Sequence, residues 1–156
     1  MNPELARIDE QLRASFHGEA WHGPSVLEAL DGVTADQAQQ HPIASAHSIW
    51  ELVLHLGGTY RLVLRRFAGD ATPLSADEDW PAVPPLTEAN WRSAKEDLQE
   101  LNAKLRQVVS SFDASRLDTP LATEPYSAYT QFIGITQHDL YHAGQIVLLK
   151  RALLAC

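Results

Sequence analysis

Two histidines four residues apart, His138 and His142 in the segment QHDLYHAGQI, carry the strongest chemical signal in this chain. On a helix that spacing puts both imidazoles on one face with Cβ atoms about 5–6 Å apart, close enough for one metal ion to bind both. Two ligands make a poor site, so a third is needed. His55, in the apolar run SIWELVLHLGG, is the natural candidate. Three neutral imidazoles would leave a divalent ion its full charge and an open position for water or substrate. Such an ion lowers the pKa of a bound water toward about 7, and can equally hold a thiolate or polarise a carbonyl.

The flanking residues support an inward placement. At helical spacing the pair is bordered by Gly134, Ile135, Gln145 and Ile146, a largely small or apolar stripe that should face the core. His55 interrupts a run that is otherwise ordinary core. Beside it, Gly57 and Gly58 cost about 1 kcal/mol each inside a helix relative to alanine, and removing their side chains suits a ligand cavity or a close approach of another element. Three inward histidines without partners or a metal would be expensive to bury.

Other candidates are weaker. His17, His22 and His41 lie at helix breakers or ends and read as surface residues, and His47 reads as a helix flank. Glu51 sits one turn before His55, but its place in a capping box with Ser48 gives it a structural task. Tyr141 and Gln145 could line a pocket or orient a ligand. No catalytic acid or base is identifiable. The chain has no Glu-x-x-His of the di-iron type, no His-Glu-x-x-His and no glycine-rich phosphate loop.

The elements that must position these residues are helical. Leu5, Ile8, Leu12 and Phe16 follow Pro3 at helical spacing, and Gly18 closes the pattern. Trp21 to Pro42 reads as short helical turns between breakers, VLEALDGV among them. A long helix runs from about Ala46 to Phe67, ended by Gly69, and a third follows Thr87, with Leu86 and Trp91 placed as a hydrophobic staple. The last covers about Ser127 to Leu154. Between the second and third, Asp70 to Leu86 is rich in acidic residues and prolines, an irregular connection long enough to act as a lid, with Trp80 as its cover. No strand-like alternation is sustained, so the expectation is an all-α, antiparallel four-helix bundle forming a single domain over residues 1–156.

Composition narrows the partners. A formal charge of −8 argues against a phosphate-tracking surface, hence no nucleic acid. No stretch approaches the ~18 apolar residues of a membrane span, and the N-terminus lacks a signal-peptide core. The lone cysteine, Cys156, permits no intrachain disulfide, and the simplest setting is cytoplasmic.

At SIWELVLHLGGTYRLVLRRFAG, at QHDLYHAGQIVLLKRAL and, more loosely, at AWHGPSVLEALDGVTADQA, the sequence resembles the DinB/YfiT-like superfamily of metalloenzymes. The resemblance covers nearly the whole chain. It implies an up-and-down four-helix bundle, often a homodimer, in which His55, His138 and His142 bind a divalent metal, zinc or nickel. It also implies a small-molecule substrate, with either transfer of a low-molecular-weight thiol, such as bacillithiol or mycothiol, or hydrolysis. Two alternatives stay open: a non-catalytic protein with a structural or sensory metal, and a helical interaction module whose histidines point apart.

Overall fold

A computed structural model describes residues 2–122 and 125–154. Among the described residues seven α-helices follow in chain order: α1 (Pro3–His17), α2 (Val26–Leu30), α3 (Ala35–Gln39), α4 (Ile49–Phe67), α5 (Ala76–Asp79), α6 (Glu88–Ser111) and α7 (Ala128–Leu154). A 3-10 turn at Ala114–Arg116 precedes α7. The only pairing of extended backbone among the described residues is an isolated bridge between Pro120 and Ser127. The fold is therefore all-helical, and none of these helices is long and apolar enough to cross a membrane. Cys156 lies outside the described residues.

Local chemistry sets the boundaries. Asn2 caps α1 by accepting from the Glu4 amide at 2.8 Å. Ser25, Thr34, Ser48 and Ser75 each form a full capping box with the Glu or Gln three residues on, which satisfies orphan amides at the starts of α2, α3, α4 and α5. Thr87 caps α6. The expected staple partner Leu86 stays 45% exposed. Trp91, by contrast, is buried against Trp50 and donates its indole N–H to the Val33 carbonyl at 2.8 Å.

The four long helices pack as a ring: α1 and α4 each contact both α6 and α7. Side-chain contacts fix the directions. His55 meets His138 at one end of the α4/α7 seam and Phe67 stacks on Phe132 at the other, so these two helices are antiparallel. Along α4 and α6, Trp50 meets Trp91 and Phe67 meets Phe112, so this pair runs in the same direction. Ser15 meets Asp139, while Ile8 and Ile133 line one groove, which makes α1 and α7 parallel as well. The antiparallel, up-and-down order expected of the bundle is therefore not met along the α4/α6 and α1/α7 seams.

This topology explains the long connection. A helix of the length of α4, 19 residues, spans about 28 Å, and the chain must travel back that distance before α6 can start beside it. Residues 68–87 make the journey. They cross α4 near its middle, where α5 lies over Gly58.

Candidate metal centre

The three expected ligands converge. His55 Nε2 and His142 Nε2 each lie 3.1 Å from His138 Nε2, and one ligand atom from each residue falls within 4.8 Å of the other two. The interaction-module alternative, with histidines pointing apart, is excluded by this convergence. Helix α4 supplies His55, and α7 supplies the i, i+4 pair. His142 is buried, while His55 and His138 are part-buried.

Ring protons follow from the outer partners. His55 Nδ1 lies 2.9 Å from the Asp79 carbonyl oxygen, which can only accept, so Nδ1 carries the proton and Nε2 presents a lone pair. The Asp79 carboxylate lies 3.1 Å from the same nitrogen. His142 Nδ1 donates to Gln145 Oε1 at 2.7 Å, which leaves its Nε2 bare as well. Two lone pairs therefore face His138 Nε2, which carries at most one proton. A cation satisfies all three nitrogens at once, and three imidazoles on a tetrahedral ion at about 2.0–2.1 Å would sit about 3.3 Å apart, close to the two separations measured from His138. The donor set fits a divalent metal.

The electrostatics agree. Burial, followed by the neighbouring His142 and His55, pushes His138 down to about 4. Burial also lowers His142, against the opposing hydrogen bond to Gln145. Both rings are thus held neutral, the state a metal requires.

Trp80, from the end of the α5 strap, covers one face of His55. Its indole is parallel to the imidazole at a centroid distance of 4.0 Å, and its other face stacks on His47 at 3.7 Å. The cover expected of Trp80 is thus seen as a stack on His55. Gly58 makes the strap's approach feasible, since a Cβ there would collide with the Glu78 carbonyl oxygen. The space beside the paired glycines is thus filled by backbone on the Gly58 side and by Leu101 and Arg61 on the Gly57 side, and not by a cavity.

The remaining candidates fall elsewhere. Glu51 closes the capping box of α4, accepts from His41 at 3.0 Å and lies 3.6 Å from His47, and none of these contacts reaches the triad. His17, His22, His41 and His47 are exposed. Tyr141 is 66% exposed, its ring edge-on to His142. His17, read as a plain surface residue, donates to Asn102 Oδ1 at 3.2 Å.

That contact opens onto a polar chain the sequence did not reveal. Asn102 Nδ2 donates to Tyr60 Oη at 2.9 Å, and Tyr60 donates to Asp139 Oδ2 at 2.8 Å, joined there by Ser15 at 3.3 Å. Asp139 is fully buried and its Oδ1 has no partner. Burial pushes its carboxyl up to about 7 despite the bonds from Tyr60 and Ser15. An acidic residue inside the last helix, directly after His138, was the only available hint.

An all-helical protein with a three-histidine centre shared between its fourth and last helices is the class this geometry defines. The chain matches the family model of the DinB superfamily over residues 20–146, most of its length, and belongs to that superfamily. No curated protein matches it.

Proposed function

We propose that this protein is a divalent-metal-dependent enzyme acting on a small molecule, its ion held by His55, His138 and His142 within a four-helix bundle. The observation that carries the reading is the pair of lone pairs, on His55 and His142, aimed at a third imidazole that can meet only one of them. When bound, zinc or nickel supplies Lewis acidity, lowering the pKa of a water or thiol brought to it. The chain's own part is orientation. Asp79 and Gln145 fix the two outer rings, burial holds His138 and His142 below their ordinary value, and Trp80 shields one face of His55.

Transfer of a low-molecular-weight thiol and hydrolysis of a small molecule are the two activities such an ion would serve. A structural or sensory metal would call for a closed shell with a fourth protein ligand and for no cavity beside Gly57 and Gly58, and the second condition is met. Among the described residues no fourth His, Cys, Asp or Glu joins the cluster, which favours the catalytic reading.

The test is metal analysis of the purified chain beside His142→Ala. Near-stoichiometric zinc or nickel in the first and a large loss in the second is expected, and equal content would sink the site. With metal present, turnover of a reactive aromatic halide should rise with added thiol. A rate indifferent to thiol concentration moves the assignment to hydrolase.

A further inference from the structure

A cleft of about 250 Å³ begins at His138 and continues along the α4/α7 seam. Leu62 and Val63 line it from α4 and Ile135 from α7. Gly134 widens it, since a Cβ there would meet nothing within 4 Å. His138 itself is part-buried, so its ring is reached from this side.

The polar side chains along the cleft are engaged with the protein itself. Thr59 Oγ1 donates to the His55 carbonyl oxygen at 3.3 Å, and the Thr130 hydroxyl is bonded to that of Ser127 at 3.0 Å. Arg66 Nη1 donates to Gln131 Oε1 at 3.1 Å, and Gln131 is buried. A group entering here therefore gains chiefly by leaving water. A charged group would lose its hydration without finding a new partner, which is costly. Volume sets the size. A dry cavity of about 150 Å³ lined by apolar side chains holds benzene, so this larger space admits one ring with a few further heavy atoms.

We propose that this cleft receives an uncharged hydrocarbon group of the substrate, about one substituted ring in size, and brings the atom attached to it to His138. That this atom meets an ion there rests on the metal-centre reading. The hydrocarbon site rests on the walls of the cleft and on the engaged polar groups alone.

The probes are benzyl alcohol and the matched anion benzoate, titrated into the full-length, 15N-labelled chain without metal. Both are followed through the Gly134 and Ile135 amide signals and the His138 ring signals, and zinc uptake is measured on the same preparation. The alcohol should move all of these signals and bind at least about tenfold more tightly than the anion. Gly134→Leu, whose side chain grows into the open space, should weaken the alcohol by about tenfold while zinc uptake stays as in the unaltered chain. Leu62→Asn, which sets an amide into the opposite wall at a part-buried position, should act in the same direction. One variant on each helix keeps the test decisive should either fail to fold. Equal affinity for the two probes, His138 signals unmoved by the alcohol, or an alcohol affinity that survives the substitutions overturns the hydrocarbon site whether or not zinc is taken up. A chain that prefers the alcohol but takes up no zinc keeps the hydrocarbon site and removes the metal centre.

Discussion

Gly58 of α4 lies directly beneath the Glu78 carbonyl oxygen, with no room between them for a Cβ. The next residues of the strap, Asp79 and Trp80, are the ones that grip His55. Gly58→Ala should therefore leave the α4 helix intact, by propensity even strengthen it, yet lift the strap and free the His55 ring. Loss of a group that orients a ligand commonly costs 10- to 100-fold in metal affinity, and about tenfold weaker zinc binding is expected here, read by competition with a chromophoric chelator. Unchanged affinity would mean that the strap does not position His55.

Gln145→Leu removes the acceptor that fixes the His142 tautomer while keeping a side chain of similar size. The ring is then free to place its proton on Nε2, in competition with the metal. Zinc affinity should fall by about 10-fold or more, and Gln145→Glu should restore it by accepting the same proton. If calorimetry shows both variants binding as the unaltered chain does, the contact is incidental.

In the metal-free chain, His138 and Asp139 respond to pH in opposite senses. His138 has a folded value near 4, below the ordinary 6.5. From about pH 4 to 6.5 the unfolded chain therefore holds more protons there, and this residue's contribution is present above that window and lost as pH falls through it. Asp139 is raised from 3.8 to about 7, so the folded chain holds the extra proton. Its contribution is present at low pH and lost as pH rises toward 7. Urea midpoints between pH 4 and 7 should accordingly change little in the unaltered chain. Midpoints should fall with rising pH in His138→Gln and climb in Asp139→Asn. Parallel profiles for all three would refute the pairing.

Tyr60→Phe should destabilise the fold by about 1–3 kcal/mol, because it strips Asp139 of its shortest bond and leaves Asn102 Nδ2 without its Tyr60 acceptor. Metal binding should be affected far less, since Tyr60 touches none of the three ligands in these contacts. Denaturant titration beside a zinc titration separates the two effects, and an undiminished urea midpoint would show that the buried chain of polar groups adds nothing.

The helices and the histidine pair of the cluster were legible in the sequence because their signals are local. Ser48 with Glu51 marks the start of α4, Thr87 marks that of α6, and i, i+4 spacing puts His138 and His142 on one face. What stayed hidden was relational. The shared direction of α4 and α6 is written in which aromatic meets which, Trp50 with Trp91 and Phe67 with Phe112, and no local period encodes that. Gly57 and Gly58 announced a close approach but not which element makes it. Tyr60 sat on a face that looked like ordinary core, and its phenol acquires meaning only from Asp139 and Asn102, residues far along the chain.

The parallel course of α4 and α6 reaches beyond packing. Neighbouring helices with a common heading oblige the backbone to make a return leg, and here that leg delivers Asp79 and Trp80 to a ligand-bearing helix. The orientation of His55 is thereby assigned to a stretch outside the four long helices. Substitutions there could reorient His55 while every long helix keeps its sequence, so a change in what the three histidines bind need leave no trace in the histidines themselves.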